Sequence, residues 1–207
     1  SIANFNGYGG STILYSAHFP RFHPSDFRVK TLDNCADDWP LSYSELNPYF
    51  DENEKIMGVA GLVGDTAYPE YDYLLPPVPL GDMGRKLATT FNEKSWHWWP
   101  SYAAINTGKR NNRANCINLG PCNIGCSQGA KGSVDVTYWP LARLNGVEVY
   151  TESRVYKITL DKKGLANGGL YFDKNGNRCN FKAKIVIVAC SGVGTPRLLL
   201  NSTSIAF

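Results

Sequence analysis

Residues 183–202, AKIVIVACSGVGTPRLLLNS, decide the fold class of this chain. Residues 185–189 are apolar on both faces, which is typical of a strand buried inside a parallel or mixed sheet. A glycine turn follows, and Thr195 and Pro196 then have the residue types of a helix cap and a first helical residue. Because nucleotide-binding domains feed strands into helices through such turns, the segment predicts an α/β fold.

Strand patterns also fill the region before this segment. The stretches VEVYT, RVYKITL, GGLYFD and CNFKAK are alternating or rich in β-branched residues, and DKNGN at 173–177 supplies turn chemistry between two of them. We therefore predict a small sheet with a hairpin, and the change in composition places a boundary near residue 145.

The first 144 residues read as helices and long loops. Ser42 and Glu45 form a capping-box pattern for a helix or helix pair that ends near Gly58, with Pro48 as a second possible start. A further helix is expected between Gly81 and residue 96. Residues 100–132 are expected to form a long loop, and residues 133–144 another helix.

Composition excludes several classes of protein. The 207 residues are 43% hydrophobic and carry a net charge of +3 without a run of like charges, so a nucleic-acid partner is not expected. The longest apolar run, residues 185–190, is too short to cross a bilayer, so no transmembrane segment is expected. The cysteines do not decide between a cytoplasmic and an exported protein. Since the chain begins at Ser1, we expect a fragment of a longer protein.

Four segments resemble, in order, the glucose-methanol-choline (GMC) family of flavin oxidoreductases. They are GYGGSTILYSAHFPRFHPSDF, DWPLSYSELNPYFDENEKIMGVAG, NCINLGPCNIGCSQGAKGSVDVTYWPLARLNGVEVYTESRVYKITL and AKIVIVACSGVGTPRLLLNS. The resemblance implies a Rossmann-like, FAD/NAD(P)-type domain interleaved with an α+β substrate domain. Residues 1–20 and 145–207 would belong to the FAD-binding domain, and residues 21–144 mainly to the substrate domain with its cysteine loop.

The resemblance also implies which residues contact FAD. The predicted contacts are Gly9, Gly10, Ser11 and Thr12 in one turn, Val155 beside the adenine, and Ala189, Cys190, Ser191 and Thr195 in the strand-to-helix turn. Some family members bind flavin covalently through a histidine after the glycine pair. Leu14 stands at that place here, so FAD is expected to be held noncovalently.

The resemblance implies oxidation of an alcohol group in a sugar, a polyol or a sterol-like molecule by hydride transfer to flavin N5. The family's catalytic histidine is expected beyond Phe207, so no catalytic residue is predicted within this chain. His18, His23 and His97 are interpreted as ordinary loop histidines. The electron acceptor, whether oxygen, a quinone or a cytochrome, stays open.

Cys116, Cys122 and Cys126 form a cluster with the spacing C-x5-C-x3-C. Three thiolates at short spacing are suitable ligands for iron, and an iron–sulfur electron-transfer module built on them is the alternative function. A Cys116–Cys122 disulfide is also open. We expect free, partly buried thiols, because cysteine is among the residue types most often buried.

Overall fold

The computed structural model describes residues 4–71, 74–108 and 112–203, which divide into two compact units, Ser1–Val147 and Glu148–Phe207. The first unit contains two 3-10 turns, Gly10–Ile13 and Pro24–Phe27, and four helices. These helices are α1 (Val29–Asp33), α2 (Tyr43–Met57), α3 (Gly81–Glu93) and α4 (Tyr138–Leu144). The assignment of these units to FAD-binding and substrate domains stays a prediction.

Loops with isolated bridges build the core of the first unit. Ala60 bridges both Leu75 and Ala103, and Ile105 bridges Lys131. The buried cluster that these segments enclose consists of Ala17, Met57, Val59, Tyr71, Tyr102 and Ala104. The long loop predicted for residues 100–132 is therefore confirmed for its described part, and its first residues lie inside the core.

Helix α2 begins at the predicted capping box. The Ser42 hydroxyl accepts a hydrogen bond from the Glu45 N–H, and the Glu45 carboxylate accepts one from the Ser42 N–H at 2.7 Å. The helix ends at Gly58, as expected, in the left-handed conformation with φ 72°. Pro48 lies inside a single continuous helix, so it does not start a second one.

A buried ion pair fixes α2 to the preceding loop. The Arg21 guanidinium donates to both oxygens of Glu54, at 2.7 Å and 2.5 Å, and to Asp51 at 2.5 Å. The Arg21 and Glu54 side chains are each 2% exposed. Burial raises the pKa of Glu54 although Arg21 opposes the shift. Removal of either partner would leave a buried charge without compensation.

The second unit is an antiparallel sheet with one helix. Its strands are β1 (Arg154–Leu160), β2 (Ala166–Phe172) and β3 (Arg178–Lys182), in the order β1-β2-β3. The predicted hairpin joins β2 to β3 through residues 173–177. Gly168 is required in β2, because a Cβ atom there would lie 2.0 Å from the Phe181 carbonyl oxygen.

Helix α5 (Ser191–Leu200) packs on β1 within this unit. Leu198 and Ile158 are both buried, and the Ser202 hydroxyl connects the two elements. It accepts a hydrogen bond from the Ile158 N–H at 2.9 Å and donates one to the Leu198 carbonyl at 2.6 Å.

Four sequence predictions about elements were wrong. Residues 147–151 and 185–189 form no strand, because they pair with no strand in the described part of the chain. Ile185 and Ile187, expected to be buried, are 79% and 84% exposed. Helix α4 begins at Tyr138 instead of 133, since residues 134–137 form a turn, and α5 begins at Ser191, four residues before Thr195.

Within the described residues, no helix combines the length and apolar character needed to span a membrane.

Candidate cofactor site

The glycine turn at residues 9–12 has a backbone that needs glycine. Gly9 has φ 95° and Gly10 has φ 56°, both in the left-handed region, and the 3-10 turn Gly10–Ile13 follows. A Cβ atom on Gly9 would lie 2.9 Å from Ile13 Cδ1 and 3.0 Å from Asp135 Cβ. Beside Gly10, no other described atom lies within 4 Å of the corresponding position. The turn therefore has one packed side and one open side.

The hydroxyl groups of the turn stabilise its own conformation. Thr12 Oγ1 donates to the Gly9 carbonyl at 2.5 Å and accepts from the Val134 N–H at 3.0 Å. Ser11 Oγ donates to Asn4 Oδ1 at 2.8 Å. Each hydroxyl has one hydrogen to donate, so both are already used within the protein. Gly9 itself is buried, and the Gly10 N–H donates to the Gly7 carbonyl at 2.9 Å, so Gly10 offers a cofactor an open surface and not a free N–H donor.

Lys131 fixes the turn to the cysteine loop. The residue is 2% exposed, and its Nζ atom donates to the carbonyl oxygens of Ile13 at 2.7 Å, Tyr15 at 3.0 Å and Cys122 at 2.7 Å. The Tyr15 hydroxyl in turn donates to the Gly132 carbonyl at 2.5 Å. Burial lowers the pKa of Lys131, because the cation has carbonyl oxygens and no carboxylate in direct contact among the described residues.

Asp135 lies on the packed side of the same turn. Its Oδ1 atom would be 3.2 Å from a Cβ on Gly9. This oxygen is shielded from solvent and accepts no hydrogen bond from the described residues. The residue as a whole is half-buried.

The three clustered cysteines are free thiols, each half-buried, and the Cys116–Cys122 disulfide is not formed. In the part of the chain that is described, no three His, Cys, Asp or Glu side chains are grouped closely enough to hold a metal ion. The iron–sulfur alternative therefore gains no support from the structure. Burial alone would raise the pKa of the Cys126 thiol, but backbone N–H groups outweigh burial and lower it. The groups responsible belong to Lys131, Gln128, Ala130 and Gly129.

The remaining predicted contacts lie in the second unit. Val155 is in β1 opposite Tyr171, with its side chain 37% exposed. Cys190 is the N-cap of α5, and its N–H donates to Thr195 Oγ1 at 3.0 Å. Ser191 opens the helix with φ 71°, and Ala189 precedes it at an exposed position. The N-terminal end of α5 therefore brings together Ala189, Cys190, Ser191 and Thr195. The first N–H groups of a helix are suited to binding an anion.

Each of the three histidines contacts another side chain of the described residues. His97 Nε2 lies 3.0 Å from the buried Asp65 carboxylate, which also accepts from Tyr102. Burial raises the pKa of Tyr102 to about 12. His18 Nδ1 lies 2.8 Å from Ser101 Oγ, and His23 stacks on a tyrosine ring. The His97–Asp65 pair was not recognised in the sequence, because 32 residues separate its members.

Lys131 and Asp135 were also missed in the sequence. Both follow the cysteine loop in the segment AKGSVD, which has no motif that marks a lysine or an aspartate as functional. The one signal in the sequence is that Lys131 stands among small residues, which indicates that its side chain is buried. Its partners at residues 13 and 15 could not be deduced without the fold.

Comparison with known proteins identifies the family. Residues 101–204 match the family model described as GMC oxidoreductase. The chain belongs to this family. The resemblance read from the sequence is thereby confirmed, and the family's FAD-binding, Rossmann-like fold accounts for the predicted fold class in part. The described residues of this chain contain helices and a small antiparallel sheet, without the parallel or mixed sheet predicted to contain residues 185–189.

Three relatives match almost the whole length of this chain. A 2-methyl-1,2-propanediol dehydrogenase from Mycolicibacterium austroafricanum is 44% identical over 95% of the chain. A paromamine 6'-oxidase from Streptomyces fradiae is 28% identical and a fructose dehydrogenase large subunit from Gluconobacter japonicus is 26% identical, each over 94%. The chain spans 36% of the length of each of these three proteins.

Proposed function

We propose that this chain is part of an FAD-dependent enzyme that oxidises an alcohol group of a small molecule to a carbonyl. The observation that carries the proposal is the GMC match over residues 101–204. The relatives that span the chain are named as dehydrogenases and oxidases, which supports an oxidoreductase.

The residues present are suited to FAD. The open side of Gly10 lets a flat or phosphorylated group approach the backbone, and the shielded Asp135 oxygen beside Gly9 has no donor of its own. FAD, when bound, supplies the two-electron chemistry that accepts hydride from the carbinol carbon. In the first unit, the contacts proposed for FAD are Gly9, Gly10, Ser11 and Thr12. In the second unit, they are Val155, Ala189, Cys190, Ser191 and Thr195.

Each part of the proposed site has a defined task. Gly10, on the open side, lets the cofactor approach the backbone, while Gly9 and the hydroxyls of Ser11 and Thr12 hold the turn in shape. Lys131 keeps the cysteine loop over the turn and excludes water from that side. The first N–H groups of α5 offer positive dipole ends to a phosphate. Leu14 offers no atom for a covalent flavin bond, so noncovalent binding is proposed.

The proton of the substrate hydroxyl needs a base, and we assign none within this chain. His18 and His97 are engaged with Ser101 and Asp65, and His23 is stacked on Tyr68. Following the family resemblance, the proposal places the catalytic base elsewhere in the complete protein. The present chain without it is expected to bind FAD weakly and to turn over no substrate.

For the substrate class, we propose a small alcohol or diol, with a sugar or sterol as less similar cases. This choice follows the relative with 44% identity, which is named for 2-methyl-1,2-propanediol. A sugar is supported by the fructose dehydrogenase subunit at 26% identity and a sterol by a cholesterol oxidase at 25% identity. The electron acceptor and the cellular compartment are left open by these comparisons.

The test uses the complete protein that contains this chain, purified and freed of oxygen. We expect the absorbance bands of a bound flavin, which are bleached by 2-methyl-1,2-propanediol faster than by D-fructose or cholesterol. A protein without flavin absorbance, even after incubation with FAD, would contradict the cofactor. Flavin that none of these alcohols bleaches would contradict the reaction, and a broad brown absorbance with stoichiometric iron would favour the iron–sulfur alternative.

A further inference from the structure

Asp135 lies against the glycine turn with an unused hydrogen-bond acceptor. Its Oδ1 atom is next to Gly9, where a Cβ atom would approach it to 3.2 Å, and solvent does not reach it. Buried polar atoms in native proteins nearly always have a partner, so an exception calls for an explanation. The unpartnered oxygen lies on the packed side of the turn, next to Gly9, and the open side at Gly10 is one residue away.

The neighbouring donors within the protein are already in use. The three hydrogens of Lys131 Nζ point to the carbonyl oxygens of Ile13, Tyr15 and Cys122. The Val134 N–H donates to Thr12 Oγ1. The lysine can therefore balance the carboxylate only at longer range, through its charge. No described residue donates to Oδ1, so the atom is available to a donor from a bound molecule.

We infer that Asp135 is a cofactor-binding residue, whose carboxylate accepts a hydrogen bond from a hydroxyl or N–H group of the bound flavin nucleotide. The inference rests on the proposed function. A flavin carries both kinds of donor, ribityl hydroxyls and a ring N–H. Since the residue is half-buried as a whole, rotation about its side-chain bonds can turn the shielded oxygen toward a group at the turn.

A cofactor-binding role and a purely structural role of Asp135 predict different effects on the stability of the FAD-free protein. In the protein without FAD, the carboxylate oxygen is desolvated and unpaired, which is unfavourable. Removal of the side chain should therefore leave the thermal stability of the FAD-free protein unchanged or higher, while FAD binding weakens. If Asp135 served mainly to balance the charge of Lys131, the same change would lower that stability.

The experiment measures FAD affinity and apoprotein melting in the complete protein. For Asp135→Ala, the FAD dissociation constant should rise about 10-fold or more, as expected for loss of a hydrogen bond to a charged group. Asp135→Asn keeps a neutral acceptor and should recover part of the affinity. Asp37→Asn, a change at an exposed carboxylate of the same unit, should leave affinity and melting unchanged.

The flavin midpoint potential identifies the donor. If the ring N–H donates to the carboxylate, Asp135→Asn should shift the potential to more positive values, because a negative charge near the ring is removed. An unchanged potential with weaker binding assigns the contact to a donor of FAD outside the flavin ring, such as a ribityl hydroxyl. Wild-type affinity in Asp135→Ala, or a clear loss of apoprotein stability, would overturn the inference. A wild-type protein that binds no FAD would instead overturn the proposed function.

Discussion

At the scale of single residues, Lys131 determines whether the glycine turn and the cysteine loop stay together. Its ammonium group satisfies three carbonyl oxygens from three positions, Ile13, Tyr15 and Cys122. It does so at the expense of desolvation, which lowers its pKa. The buried ammonium group is tolerated because the three carbonyl oxygens replace the water molecules that would otherwise solvate it.

Replacement of this ammonium by an apolar group of similar length should destabilise the first unit. In Lys131→Met, three carbonyl oxygens lose their donor, and we expect the free energy of unfolding to fall by about 3 kcal/mol. Urea unfolding followed by tryptophan fluorescence measures the change. Lys86→Met, at an exposed position of α3, is the control and should stay within about 0.5 kcal/mol of wild type. Equal stability of the two variants would show that the lysine contacts contribute little.

The two turn glycines should respond differently to alanine. Both have positive φ, but only Gly9 also faces Ile13 and Asp135 at 2.9–3.0 Å from a Cβ atom. We expect Gly10→Ala to cost about 1 kcal/mol from backbone strain alone and Gly9→Ala to cost more. Thermal melting of the two variants checks the order. A Gly10 variant that is the less stable of the two would contradict the packing described for this turn.

At the scale of elements, the β2–β3 hairpin depends on the Asp173 carboxylate. Oδ1 accepts from the N–H groups of Asn175 at 2.9 Å and Asn177 at 2.8 Å, and Oδ2 accepts from Asn177 Nδ2. These hydrogen bonds, first the one from the Asn177 side chain, lower the pKa of Asp173. Its charged form is therefore favoured in the folded hairpin.

A pH dependence of the second unit follows from this lowered pKa. A carboxyl group with a lower pKa in the folded state adds stability above its unfolded pKa of about 4, and the contribution is lost as pH falls through the folded value. We expect Asp173→Asn to remove this part of the acid sensitivity. Urea midpoints between pH 2 and 6 test it, with Glu152→Gln at an exposed position as the control. An unchanged acid profile would refute the role of the turn.

Sequence patterns predicted elements well where the deciding contacts are local. The capping box of α2, its end at Gly58, helix α3 and the hairpin all depend on residues within a few positions of each other. Residues 185–189 were predicted wrongly, because an apolar run becomes a strand only where a neighbouring strand offers hydrogen bonds. The same holds for the candidate site. The glycine turn is a local pattern and was predicted from the sequence, whereas the roles of Lys131 and Asp135 depend on contacts with distant residues and were not.

At the scale of the whole molecule, residues 185–189 leave an apolar surface on the second unit. Ile185 and Ile187 are 79% and 84% exposed, while Val186 and Val188 are half-buried. Exposed apolar surface of this kind promotes association with other chains. The surface is therefore expected to lower the solubility of this chain when it is produced alone.

We expect a double change, Ile185→Lys with Ile187→Lys, to raise the solubility of the 207-residue chain and to reduce its binding of the apolar dye ANS. Stability should change by no more than about 0.5 kcal/mol, since both side chains face solvent. Light scattering and dye fluorescence measure the effect. Leu165→Lys, at a position 64% exposed outside this segment, is the control and should reduce dye binding less. Equal dye binding by both variants would show that residues 185–189 are not the apolar surface that binds ANS.

The contact between Lys131 and Ile13 also has a consequence for the order of folding. It joins residues 118 positions apart, so the loop that it closes includes most of the first unit. Closing so long a loop costs chain entropy that local helices such as α2 do not incur, and such contacts form slowly. The glycine turn should therefore reach its final shape after the helices, and a cofactor site proposed at this turn would be complete only late in folding.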